Sequence, residues 1–350
     1  MESALEADLR KTESMSKRPG QPEPFLRGCA WPASEDVPYP RCDPGPEGTR
    51  LPEDTRSAAA LPVGVRFQFL GEPEKIEVEY ETQTSDLGYR GMGAGTHFVL
   101  YRGTQRIDQA QALLGSGRAE LSTGTGPETA TLYLPEGMRP RVLGLHAHGG
   151  EIQVAEPEPR WLCYGDSIAE GWCATEPAQA WPHIVGREKA LDVVNLGYAG
   201  AARGEIASAQ EIASLPANLI SVSHGTNCWS RTPHSAALFA ESMRTFLEIV
   251  RKGHPEVPVV AISPIVRPDA EQSANLLGAT LCDLREAFEA VVRDRIQAGD
   301  ENLTLIPGQD LVDPGQLPDG IHPGDEGHAE MARVLGPVLA QAAHQGVDHA

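Results

Sequence analysis

Gly165-Asp166-Ser167-Ile168 follows directly on the apolar run Trp161-Leu162-Cys163-Tyr164, so a serine stands where a buried strand would surface at the edge of a sheet. Far downstream, Asp319-Gly320-Ile321-His322 offers a carboxylate and an imidazole three residues apart, ahead of Pro323-Gly324 and an amphipathic run ending near Leu339. Serine, histidine and aspartate suffice for acyl transfer: the imidazole takes the hydroxyl proton, and the carboxylate orients the imidazole and stabilises its charged form. The oxyanion that develops needs fixed donors. The backbone N–H groups of Ser167 and Gly200 and the side-chain amide of Asn227 are the candidates, and glycine at 200 permits close approach and a positive φ. Each motif also has a purely structural reading: Gly-Asp-Ser as a turn or helix N-cap, Gly200 as a turn glycine, Asn227 as a cap, Asp319-Gly320 as a tight turn. Their joint occurrence at successive strand ends carries the catalytic reading.

The elements that must position these residues can be read from the apolar pattern. Strand candidates at 161–164, 192–196, 219–223, 257–263 and 303–306 alternate with helix candidates. One helix carries Phe239, Met243, Phe246, Leu247 and Val250 on one face, and the last carries Met331, Leu335, Val338 and Leu339. This alternation predicts a parallel sheet covered on both faces, in which catalytic groups gather at the carboxyl ends of strands. Ser167 follows the first strand, Gly200 the second (Asn195-Leu196-Gly197-Tyr198-Ala199-Gly200) and Asn227 the third (His224-Gly225-Thr226-Asn227).

The first half reads differently. Lys75-Ile76-Glu77-Val78-Glu79-Tyr80-Glu81 alternates charged and apolar residues, and Ala130, Leu132 and Leu134 alternate with Thr131 and Tyr133, the period of strands with one wet face. With runs at 65–70, 97–101 and 142–146 they predict an antiparallel β-sandwich with no helix before Ser167. The Pro-, Gly- and acid-rich stretch 19–62 reads as irregular coil on a domain surface, 1–20 as a disordered leader, and 155–159 as a proline-stiffened linker. The expected organisation is a leader over 1–20, a jelly-roll-like sandwich over 21–156 and an α/β domain over 157–345.

Composition narrows the function classes. A chain of 350 residues with net charge −20 and no concentrated basic patch argues against nucleic-acid binding and for weak repulsion of anionic substrates. Neither a signal-peptide core nor a membrane-length apolar run is found, so a cytoplasmic address is the expectation. The six cysteines, Cys29, Cys42, Cys163, Cys173, Cys228 and Cys282, form no Cys-x-x-Cys pair and are read as reduced thiols. His322, Asp325 and His328 are spaced suggestively for a metal but straddle a loop and a helix start, and no metal or cofactor is implied. His146-Ala147-His148-Gly149-Gly150 lacks the Gly-x-Ser-x-Gly that would make it a lipase oxyanion loop, and no glycine-rich loop ends in Lys-Ser or Lys-Thr. Trp172, Trp181 and Trp229 flank the site segments and could wall an acyl or acceptor pocket, which the sandwich could roof.

Taken together, the blocks resemble the GDSL, or SGNH, hydrolase family: Gly165-Asp166-Ser167-Ile168 matches the first, Asn195 to Gly200 the second, Gly225-Thr226-Asn227 the third and Asp319-Gly320-Ile321-His322 the last. The resemblance covers about 160–342. It implies a three-layer α/β/α domain, Ser167 as nucleophile, Gly200 and Asn227 as oxyanion donors, His322 as base and Asp319 as its orienter. One position departs: the aspartate that often follows the third-block asparagine is Cys228 here, which bears on the local support of Asn227. The region 24–154 resembles the β-sandwich that precedes the catalytic domain in some bacterial GDSL esterases and in a GDSL acyltransferase of polyketide tailoring. The function expected is hydrolysis of a small-molecule carboxylic ester through an acyl-serine. The alternatives are an acyltransferase that delivers the acyl group to a bound hydroxyl, and a carbohydrate-binding protein with a degenerate hydrolase domain. Oligomeric state is left open.

Overall fold

The computed structural model describes residues 20–87 and 95–348. The leader expected over 1–20 therefore lies almost wholly outside the described residues. In the first half, β1 (Leu26–Arg27), β2 (Arg66–Leu70), β7 (Ala130–Tyr133), β4 (His97–Arg102) and β5 (Gln105–Gln111) form a sheet in that order, with β9 (Gln153–Val154) also paired to β2. Facing it is a second sheet of β6 (Gly115–Ser122), β3 (Lys75–Thr82) and β8 (Pro140–His148). All described pairings in both sheets are antiparallel. Phe67, Phe69, Phe98, Leu100 and Leu132 from one sheet meet Ile76, Val78, Tyr80, Leu121 and Leu145 from the other in one core. This is the expected β-sandwich. The pair β5 and β6 was not legible as strands, because their residues are mostly polar and half exposed.

Two expectations for this half are corrected. The face of β7 carrying Thr131 and Tyr133 is buried rather than wet. Val99, Tyr101 and Tyr133 cluster with Ala178 of the second half, and the Arg187 guanidinium lies 4.2 Å from the Tyr101 ring centroid while Nη1 donates to Tyr133 Oη at 2.8 Å. A helix also precedes Ser167: α1 (Glu53–Ala59), within the stretch read as surface coil. That stretch enters the interior, since Ala30 and Ala59 belong to the core that contains Leu196, Ala209 and Ile212.

The second half is a five-stranded parallel sheet, ordered β11 (Asp192–Gly197), β10 (Arg160–Gly165), β12 (Leu219–Ser223), β13 (Val259–Ile262), β14 (Leu303–Ile306). Its strands are apolar almost throughout because both faces are covered. One layer is α4 (Ile206–Ser214), α6 (Ala236–Gly253) and α7 (Leu281–Gln297), and α6 buries Phe239, Met243, Phe246, Leu247 and Val250, the face expected from their spacing. The other layer is α3 (Trp181–Lys189) and α8 (Asp325–Asp348), which bury Trp181, Val185, Met331, Leu335 and Leu339. The α/β/α architecture with a preceding sandwich holds. All six cysteines are free thiols, and among the described residues no helix is long and apolar enough to cross a membrane.

Candidate active site

Strand β10 ends at Gly165, where a Cβ would meet Ser223 O and the Ala169 methyl, each at 2.5 Å, so only glycine lets the chain turn against β12. Asp166 then caps the one-turn helix α2 (Ser167–Glu170), its Oδ1 accepting from the Ile168 N–H at 3.1 Å. Burial pushes the Asp166 carboxyl up to about 6, opposed by hydrogen bonds from the N–H groups of Ile168, Thr226 and Gly225. One carboxylate thus ties the serine turn to the third strand's turn, which opens the short helix α5 (Thr226–Trp229).

The Ser167 hydroxyl stands 2.8 Å from His322 Nε2, and His322 Nδ1 is 2.6 Å from Asp319 Oδ2. Asp319 Oδ1 accepts from the N–H groups of Ile321 at 2.9 Å and His322 at 2.8 Å, which locks the four-residue turn. Burial would raise the Asp319 carboxyl, but the hydrogen bonds from the His322 ring and from these two N–H groups outweigh it and hold it down at about 2. Burial pushes the His322 imidazole below its ordinary value, against the opposing pull of Asp319. A serine hydroxyl, a neutral imidazole and an ionised carboxylate in line can transfer a proton away from a nucleophile.

The second and third blocks reach the same place. Gly200 has φ +70°, and Ala199 N–H donates to Glu170 Oε2 at 2.7 Å, fixing the loop that carries it. The N–H groups of Ser167 and Gly200 have no acceptor among the described residues. Asn227 Nδ2 donates one hydrogen to Ala202 O at 3.0 Å, leaving the other for a ligand. Ser167, Gly200, Asn227 and His322 line one cavity of about 350 Å³ with Trp172, Arg231 and Arg267.

Residues 163–330 match the model of the GDSL-like lipase/acylhydrolase family. The chain carries a GDSL domain. No curated protein matches it in sequence. In fold it is similar to the salicylyl-acyltransferase SsfX3 from a tetracycline biosynthetic pathway, with 22% identity, 91% of this chain and 94% of that one covered, and a TM-score of 0.77. It is also similar to a GDSL-like protein from Bacteroides ovatus (20% identity, 92% and 96% covered, TM-score 0.74). A family two carbohydrate esterase from Clostridium thermocellum, solved with cellohexaose, is a more distant likeness (15% identity, 80% and 92% covered, TM-score 0.58).

Several sequence expectations about the GDSL domain are refined. Cys228, at the departing position, is buried with its Sγ 3.7 Å from Arg203 O, so Asn227 is supported through Ala202 O and the Asp166 tie instead of a neighbouring carboxylate. His322, Asp325 and His328 do not converge: Asp325 accepts from Thr175 N and Oγ1 at 2.8 and 2.6 Å, and His328 sits between Trp181 N and Trp172 O. The donor atoms that do approach one another are those of Cys173, Asp319 and His322, within 4.8 Å, but Nδ1 and Oδ2 already share a hydrogen bond. Trp172 lines the cavity, its ring centroid 5.8 Å from that of His322, whereas Trp181 is core and Trp229 donates to Ser273 O at 2.8 Å. No sandwich residue among those described lines the cavity, whose walls come from the second half of the chain. Sequence reasoning missed Glu170, Arg231 and Arg267, none of which stands in a motif. It also missed Cys173, whose Sγ lies 3.5 Å from Asp319 Oδ2; burial and the Asp319 charge push this thiol up to about 12.

Proposed function

We propose that the chain is a serine esterase that hydrolyses small-molecule carboxylic esters, with residues 157–345 as the catalytic unit and 21–156 as an accessory sandwich. The observation that carries it is the line from Ser167 Oγ through His322 to Asp319, at 2.8 and 2.6 Å, beside three available donors. Ser167 Oγ attacks the ester carbonyl carbon as its proton passes to His322 Nε2. The carbonyl π pair moves onto oxygen, facing the N–H groups of Ser167 and Gly200 and the Asn227 amide. The pair returns, the bond to the alcohol oxygen breaks, and His322 protonates the departing alkoxide. A water then repeats the sequence on the acyl-serine, giving the free acid and restoring Ser167. No step calls for a metal or cofactor.

An acyltransferase shares every step up to the acyl-serine. Hydrolysis is favoured because Ser230 and Arg231, on the cavity's rim, are exposed, so water reaches an acyl-enzyme directly. The intact hydrogen-bonded line speaks against a degenerate domain serving only to bind carbohydrate. Ser167→Ala should abolish fluorophosphonate labelling and nearly all turnover of nitrophenyl esters while the folded state persists. Labelling at the wild-type rate in that variant would reject Ser167 as nucleophile, and ester product dominating over acid when alcohols are added at submillimolar level would favour the transferase.

A further inference from the structure

The cavity's charge is opposite to the molecule's. The chain carries a net charge of −20, yet the residues lining the cavity include two arginines, Arg231 and Arg267, and no aspartate or glutamate among those described. Arg231 is exposed and makes no ion pair among the described residues, and a Cβ placed on Gly200 would lie 3.8 Å from its Nε. Its guanidinium therefore stands beside an oxyanion-donor position. Arg267 is fixed, with its Nε and Nη2 donating to Asp269 at 2.9 and 3.1 Å and its guanidinium carbon 4.8 Å from the Trp229 ring centroid. Its positive charge reaches His322 and adds to the lowering of that imidazole.

A guanidinium left without a carboxylate at a site mouth, in an otherwise anionic protein, is complementary to an anion: it recruits one over a net repulsive field and holds it by charge-assisted hydrogen bonds. We infer that the substrate is an ester bearing a carboxylate or similar anionic group near the scissile bond, bound by Arg231 with Arg267 in support. This rests on the esterase reading and narrows its substrate class. Arg231 carries more of the recognition, because Asp269 shares the charge of Arg267. Bulk composition predicts the reverse preference, and the local field overrides it at contact distance because screening removes charges more than about 8–10 Å away.

The test compares matched esters with the full chain. On the acyl side these are the para-nitrophenyl monoester of glutarate and its methyl-capped diester; on the alcohol side, meta-acetoxybenzoate and its methyl ester. Wild type should prefer at least one anionic member over its neutral partner by about tenfold in kcat/KM, mostly through KM, and the side of the preferred anion identifies where it binds. Arg231→Gln should reduce that preference to about twofold or less by lowering kcat/KM for the anionic esters well beyond any loss on the neutral ones, and added salt should erode the preference in wild type only. Equal turnover of charged and neutral partners, a preference that survives Arg231→Gln combined with Arg267→Gln, or an Arg231→Gln loss shared equally by neutral esters overturns the inference. Calorimetric binding of glutarate against dimethyl glutarate reads the same preference without turnover. Should no ester be cleaved, glutarate binding would uphold the anion site while the esterase reading fails, and absence of binding would reject both.

Discussion

At His322 two effects oppose: burial favours the neutral ring, and the Asp319 carboxylate favours the charged one. Burial wins, so the imidazole loses its proton at a lower pH than an ordinary histidine. In the proposed mechanism the neutral form is the base, so kcat/KM should rise with pH through a midpoint below 6.5, the ordinary histidine value. A pH–rate profile on a neutral ester measures this, and a midpoint above 6.5 would mean that Asp319 outweighs burial. In the proposed mechanism Asn227 works through the amide hydrogen that its bond to Ala202 O leaves over. Its replacement by alanine should lower kcat by ~10²–10³ with little change in KM, because the oxyanion exists only on the way to and in the tetrahedral intermediate. A kcat within about threefold of wild type would leave Asn227 with a structural role alone.

Among elements, the end of β12 combines two functions. Asn227 projects to the cavity from α5, while His224, three residues earlier, is buried among Tyr164, Phe239, Phe246 and Phe288. Neither His224 nitrogen has a hydrogen-bond partner among the described residues, and burial pushes its imidazole down to about 3. Between that value and about 6.5 the unfolded chain binds a proton that the folded chain excludes, so stability is greatest above the unfolded value and falls as the pH drops through this window. His224→Leu should flatten the decline of Tm between neutral and mildly acidic pH. A Tm profile parallel to wild type would place acid lability at other groups. Asp166, whose carboxyl burial lifts to about 6, takes up a proton in the folded state over part of this window and so opposes the decline equally in wild type and variant.

For the molecule as a whole, the segment from Arg41 to Leu61 and the site are one piece of packing. Arg41, fully buried, donates from Nε to Asn195 O at 2.8 Å, from Nη1 to Ala58 O and Leu61 O at 3.0 Å each, and from Nη2 to Gly197 O, while Tyr198 Oη donates to Arg41 O at 2.9 Å. The stretch around Arg41 is thereby stapled to the end of β11, just ahead of Gly200. On the far side, Arg66 of β2 donates to Val193 O and Asp192 Oδ1 at 2.9 and 2.8 Å, so the sandwich covers the edge strand of the parallel sheet. Arg41→Met leaves four buried carbonyls short of a donor and should cost about 3 kcal/mol, read as a lower urea midpoint, with kcat reduced because the Tyr198–Gly200 turn loses its anchor. An unchanged midpoint would show that water replaces the guanidinium at no cost.

The α/β half was legible along the chain because its signals are local: apolar runs mark strands covered on both faces, and Phe239, Met243, Phe246, Leu247 and Val250 recur at helical spacing. The four site blocks were legible for the same reason, since three are short turns at strand ends and the fourth is a turn just ahead of α8, each with glycine and polar residues that the backbone requires. Sequence alone thus determined the fold class, the order of its halves and which residues could meet. Whether Ser167, His322 and Asp319 do meet depends on segments about 150 residues apart, and only tertiary packing brings them within hydrogen-bond distance. The buried face of β7, the insertion of Arg41 and the arginine-lined mouth were invisible beforehand, because an isolated arginine or a half-apolar strand reads alike on a wet surface and on a covered one. What covers a residue is a property of distant chain, and that is what the fold decided.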